Sequence, residues 1–203
     1  MGITERKERE KQEMRQRIID AAMHMFLEDG YNKTSIRNIA EAIEYSPATI
    51  YLYYKDKDEL LYEVQRQAFD KLFDAFQREA TDPDPWTRLT QICKSYVRFG
   101  LANEELYDLM FIIRSPMNVD EKIHETNGKD CFGYVTDCLV ECIKKGLVRF
   151  DNPHIGMLSI WSMGHGLVSL QVRCRLKVLD MAESDVDTLL DHAIETYLSQ
   201  IKR

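Results

Sequence analysis

Residues 31–61 read YNKTSIRNIAEAIEYSPATIYLYYKDKDELL. Upstream, Gly30 tolerates the left-handed backbone that ends many helices, so a first helix stops there. Ile36, Ile39, Ala40 and Ile43 recur at helical spacing and predict a second helix over 35–43, with Thr34 offering a capping oxygen. Ser46 then supplies an oxygen to free first-turn amides, and Pro47 loses no hydrogen bond at the first helical position. A third, very short helix over 47–53 follows. Its Ile50 and, four residues on, Tyr54 face Ile39, Ala40 and Ile43, and Ala40 is small enough for the helices to cross closely. Ala48, Thr49, Tyr51, Leu52 and Tyr53 are not all needed for that core. Two short helices joined by a three-to-four-residue turn make a helix-turn-helix, whose second helix fits a major groove.

Around this stretch the composition is that of an ordinary globular chain: 203 residues, 44% hydrophobic and 30% charged, which excludes disordered and collagen-like classes. The formal net charge is −7, so any nucleic-acid contact must be local. Residues 1–55 carry as many bases as acids; the acidity lies in the rest, and phosphate can be met only by the N-terminal quarter. The bases of the N-terminal arm (Arg6, Lys7, Arg9, Lys11, Arg15, Arg17) alternate with four glutamates, which favours ion pairing on a solvated helix over an arm on DNA. Five cysteines without a CxxC pair fit a reducing cytosol. The charged N-terminus is unlike a secretory signal. Residues 152–172 lack Lys, Arg, Asp and Glu but keep three serines, His165 and Gln171, which reads as a buried helix and not a membrane span. A soluble, cytoplasmic protein is expected.

The stretch resembles the TetR family of bacterial transcriptional repressors. The matching residues are Ile39-Ala40, Ser46, Ile50-Tyr51, Tyr53-Tyr54 and Lys57-Asp58-Glu59-Leu60, preceded by Ala22, Phe26, Gly30 and Thr34-Ser35. The likeness covers residues 15–62. It implies that Thr34, Ser46, Tyr51, Tyr53 and Lys57 hold phosphates while Ala48 and Thr49 face bases, with Ser35 also among the DNA-binding residues; phosphate contacts position a protein on the duplex and base contacts specify the sequence. Lys55, Lys57 and the amides after Asp56 also lie at a helix start, where the backbone favours phosphate. Two positions depart from the family pattern. Glu44 stands where the turn usually has glycine, at a cost of roughly 1–2 kcal/mol if held left-handed. Ala48 replaces another glycine beside the DNA face.

Further helices are expected over 6–29, 57–80, 85–102, 104–114, 119–146, 153–177 and 183–202, with Thr81-Asp82-Pro83-Asp84-Pro85 as the strongest break. The fold expected is all-α: a three-helix helix-turn-helix domain over 1–56 and a larger helical domain over 57–203, linked by the helix 57–80. Trp161, Gly164, His165 and Gly166 resemble the tryptophan-histidine-glycine (WHG) signature of one C-terminal domain type in the family. Resemblance makes this second domain a pocket for a small apolar or amphipathic effector, with Tyr96, Phe99, Met110, Phe111, Arg114, Trp161 and His165 as its candidates, although the same stripe also serves as plain core. It also assigns the helices 153–177 and 183–202 to a homodimer, which would set two recognition helices one groove apart on a palindromic operator in double-stranded DNA.

Cys131, Cys138 and Cys142 share one helical face with His124 near it. Buried thiols acting as small hydrophobes are the reading preferred over a metal or redox sensor, and no metal or cofactor is expected. The chain has no HExxH, no GxSxG, no phosphate-binding glycine loop, and no nucleophile with a base nearby, so no enzyme is expected; what the resemblance implies is a ligand-released repressor. A helical module that binds protein alone is the other reading.

Overall fold

Ser46 and Pro47, Asp84 and Pro85, and Asn152 and Pro153 each place a capping side chain directly before a proline, and each pair starts a helix in the computed structural model. The structure describes residues 2–113, 128–180 and 182–203. In chain order its helices are α1 (Ile3–Glu28), α2 (Ile36–Ala42), α3 (Pro47–Tyr51), α4 (Lys57–Glu79), α5 (Pro85–Ala102), α6 (Glu104–Tyr107), α7 (Lys129–Lys144), α8 (Pro153–Val172) and α9 (Glu183–Ile201). A π-helical turn, Asp108–Ile112, follows α6, and a 3-10 turn, Arg175–Leu179, lies between α8 and α9. Among the described residues there is no strand, only an isolated bridge between Val148 and Lys202. The all-α class is as expected.

The chain forms two compact units. One comprises Met1–Phe69 and the segment that begins at Glu105; the other comprises Asp70–Glu104 and Gly128–Arg203. By compactness the chain therefore divides inside α4, not at residue 56. In the first unit, Ile18, Ala22 and Phe26 of α1 pack with Ile36, Ile39, Ala40 and Ile43, with Ile50 and Tyr54, and with Leu60, Leu61 and Val64 of α4. Leu109 joins this core, and the buried Gln65 side chain donates to the Leu109 carbonyl at 2.7 Å. Leu109, 44 residues downstream of Gln65, thus completes a core built otherwise from α1 to the first turns of α4. In the second unit, every fourth residue of α8 (Gly156, Ile160, Gly164, Val168) is buried, as are Leu190, Ile194, Leu198 and Ile201 of α9. Lys94 pairs with Glu195 at 2.6 Å and Arg88 with Glu141 at 2.7 Å.

Several ends differ from expectation for local reasons. α3 stops at Tyr51, so Leu52 and Tyr53 lie beyond it. α8 stops at Val172 and not 177, because Cys174 turns left-handed at φ +54° and its amide bonds back to the Gln171 carbonyl. The expected helix 104–114 is a single α-turn followed by the π-turn, closed by the Ile113 amide on the Asp108 carbonyl at 3.0 Å. The first part of the expected helix 119–146 lies outside the described residues. The uncharged 152–172 stretch is not fully buried: Ile155 and Leu158 are each more than half exposed and Leu170 is exposed too. No helix among the described residues is long and apolar enough to cross a membrane.

Candidate nucleic-acid interface

The turn between α2 and α3 is a Schellman arrangement: the Tyr45 amide reaches the Ala40 carbonyl at 2.9 Å and the Glu44 amide the Glu41 carbonyl at 3.1 Å. Glu44 holds the left-handed position at φ +63°, as its departure from the family glycine requires. Ser46 then caps α3. Its hydroxyl oxygen accepts the Thr49 amide at 3.3 Å and lies 3.1 Å from the Thr49 hydroxyl. Within α3 only Ile50 is buried. Ser46, Ala48, Tyr51 and Leu52 are exposed, and Thr49 and Tyr53 are half-buried. Tyr54 is 1% exposed and Tyr51 55% exposed, which separates the core tyrosine from the surface one as expected.

α3 therefore presents a small, uncharged face with a methyl, hydroxyls and an aromatic ring, narrow enough for a groove and able to hydrogen-bond to base edges. Beside it Leu52, already set apart from the core by its sequence position, is 80% exposed, and Tyr45, which sequence reasoning missed, is 41% exposed. Its signal was an apolar residue in a turn with no core partner at helical spacing.

Thr34 is a correction. It is 3% exposed, and its hydroxyl donates to the Gly30 and Met25 carbonyls at 3.0 and 3.2 Å. A buried hydroxyl whose proton is spent on carbonyls offers a phosphate nothing. The cap of α2 is Ser35, whose oxygen accepts the Asn38 amide at 3.2 Å and whose side chain is exposed.

Lys57 has a structural task as well. Its ammonium donates to the Tyr31 and Thr34 carbonyls at 2.9 and 3.0 Å and sits 4.0 Å from the Tyr31 ring centroid, so one proton is left for a phosphate. Burial lowers its pKa. At the start of α4, the Asp56 carboxylate takes the Glu59 amide at 2.9 Å, Glu59 takes the Lys55 amide, and Asp58 accepts the Tyr31 hydroxyl. The chain's own carboxylates thus occupy the helix start where sequence suggested phosphate. Burial, then Asp58, raises the Tyr31 pKa.

The seven effector-site candidates do not fall in one unit. Tyr96, Phe99, Trp161 and His165 belong to the second, Met110 and Phe111 to the first, and Arg114 lies outside the described residues. In the second unit the Trp161 indole donates to the Tyr96 hydroxyl at 3.2 Å, Phe132 meets Trp161 edge-on at 5.2 Å, and His165 lies 6.4 Å from the same ring. All four rings are half-buried. Phe132, on α7, was not among the candidates. Burial lowers the His165 pKa, which favours the neutral imidazole over the charged one. Met110 is buried, and Phe111 packs edge-on against Phe69 at 5.4 Å.

Cys131, Cys138 and Cys142 are buried along α7, as is Cys93 on α5. Burial pushes Cys93 and Cys131 up to about 12. The Cys138 hydrogen bond and burial raise Cys142. Such thiols behave as small hydrophobes. Among the described residues no group of three His, Cys, Asp or Glu side chains could hold a metal, and His124 lies outside them.

Residues 18–64 match the profile of bacterial regulatory proteins of the tetR family, and residues 89–197 that of a tetracyclin repressor-like C-terminal domain. The transcriptional regulator HbdR of Aromatoleum sp. strain CIB is 24% identical over 156 residues, 76% of this chain and 68% of that protein. The regulator AcrR of Shigella flexneri is 36% identical over 106 residues, about half of each chain. Among solved structures, a TetR family transcription regulator from Marinobacter aquaeolei VT8 has TM-score 0.71 at 19% identity, covering 96% of this chain and 98% of that one. FadR from Bacillus subtilis in complex with stearoyl-CoA has TM-score 0.72 at 19% identity, covering 92% and 98%.

Proposed function

The chain belongs to the TetR family of bacterial regulatory proteins, and on that premise we propose that it is a cytoplasmic, homodimeric, sequence-specific repressor released from a palindromic operator by a small effector. One observation carries the DNA reading: α3 commits Ile50 alone to the core and leaves Ala48 and Tyr51 exposed with Thr49 half-buried beside them, and Leu52 just past its end is exposed too. A helix kept only for packing has no use for such a face. Ala48 and Thr49 read bases, and Ser35, Ser46, Tyr51, Tyr53 and the remaining proton of Lys57 meet phosphates.

Dimerisation through α8 and α9 would cover the exposed Ile155, Leu158 and Leu170 and set two recognition helices at groove spacing. The effector would rest among Tyr96, Phe99, Phe132, Trp161 and His165, where uncharged half-buried rings suit an apolar or amphipathic molecule. FadR bound to stearoyl-CoA is a relative in fold with such a ligand. An effector that binds better to the DNA-free arrangement releases the operator by population shift, with coupling worth roughly 5–150-fold in affinity.

Selection of bound sequences from random duplexes tests this reading. Wild-type protein should enrich a palindrome, and Tyr51→Ala should abolish the enrichment. A pool without enrichment at moderate salt would contradict it.

A further inference from the structure

The bases around α3 differ in what holds them. On α1, Arg6 pairs with Glu10 at 2.7 Å and Arg9 with Glu13 at 3.6 Å; on α2, Arg37 pairs with Glu41 at 2.9 Å. Arg15 and Arg17 form no carboxylate pair among the described residues and rest on tyrosines instead. The Arg15 guanidinium lies 5.1 Å from the Tyr54 ring centroid, and that of Arg17 lies 5.3 Å from the Tyr45 ring centroid. Arg17 also donates to the Ile43 carbonyl at 3.1 Å, which ties it to the α2–α3 turn. Tyr45 and Tyr54 bracket α3 in the chain, one just before its Ser46 cap and the other just after its last turn. Arg17 is exposed and Arg15 half-buried.

We propose that Arg15 and Arg17 are two pre-set contacts to DNA backbone phosphates, one at each end of the recognition helix. The inference rests on the DNA-binding reading above and assigns to these two α1 arginines the positioning role that Thr34 cannot fill. A guanidinium has five N–H donors in a rigid fork; the Ile43 carbonyl uses one from Arg17 and leaves four. Stacking on an aromatic face fixes the group's plane without neutralising its charge. A held, unneutralised cation loses little freedom on meeting a phosphate, whereas Lys33 and Lys55 carry theirs on flexible four-carbon stems. Because residues 1–55 are electrically balanced, the positive field at α3 depends on which cations escape local pairing, and these two do.

Fluorescence anisotropy across a range of salt concentrations tests the assignment. Two labelled duplexes of about three helical turns serve as probes, one carrying the sequence enriched by wild-type protein and one of mixed sequence. R15Q and R17Q should each weaken binding to both duplexes by a similar factor. Each should also reduce the slope of log affinity against log salt by about 0.9 for every phosphate that the arginine neutralises in the wild type. R15K and R17K, which keep the charge, should restore the slope, and equal melting temperatures exclude a folding defect. Wild-type affinity and slope in R15Q and R17Q, or a weakening confined to the enriched duplex, would overturn the assignment. If wild-type protein binds neither duplex, the DNA-binding reading itself fails, which is a separate result.

Discussion

Glu44 sits at φ +63° in a turn whose hydrogen bonds require a left-handed residue. Glycine there is free of the Cβ clash, though it loses more entropy on folding, so Glu44→Gly is expected to raise stability by about 0.5–1 kcal/mol in chemical denaturation. An unchanged or lower midpoint would contradict the strained turn. His165 makes a second test at this scale. Because burial disfavours its imidazolium, an NMR titration should place its pKa below the ordinary 6.5. The folded state then takes up less proton than the unfolded one, so stability should fall as pH drops through the unfolded histidine's value; a pKa at or above 6.5 would remove that argument. The left-handed position at 44 was legible, because its departure from the family glycine marks it. The fate of Thr34 was not. Thr34 and Ser35 are both capping residues, and only the path of the chain after Gly30 decides that Ser35 caps α2 while Thr34 turns inward.

Glycines in α8 show how an element can be read correctly in type and incompletely in detail. A Cβ on Gly156 would lie 2.8 Å from Leu139 and 3.0 Å from Phe150, one on Gly164 would lie 3.1 Å from Tyr96, and one on Gly166 meets nothing within 4 Å. Gly166→Ala should therefore stabilise the fold by up to about 1 kcal/mol of helix propensity, read as a higher melting temperature. Gly156→Ala should lower it, because buried Leu139 must shift in a packed core. The reverse order would show that the α7–α8 approach is looser than described. Glycines inside a helix at 164 and 166 suggest close approach at both, and the structure gives it to Gly164 alone; Gly156 was missed, because its contacts depend on how α7 and the turn carrying Phe150 fold back onto α8. Helix starts were the most legible feature, marked by Ser46-Pro47, Asp84-Pro85 and Asn152-Pro153. Helix ends were less so: Cys174 stops α8 without a glycine or proline to announce it.

In the molecule as a whole, the split between a DNA-facing region and a helical remainder follows from where the charge and the helix-turn-helix lie. That Leu109 completes the first core could not be seen, since no local pattern reports a contact with a helix forty residues earlier. The exposed Ile155 and Leu158 make the dimer testable. Ile155→Glu combined with Leu158→Glu should shift sedimentation from dimer to monomer and weaken binding to a palindromic duplex far more than to a half-site. A double variant that sediments like wild type would place the interface elsewhere. The claim beneath all of this is that the exposed side of α3 enters a major groove. Backbone amide shifts of the isotope-labelled protein, recorded with and without the enriched duplex, test it most directly. The largest changes should fall on residues 46–53. Binding that leaves those amides unmoved while others shift would contradict it.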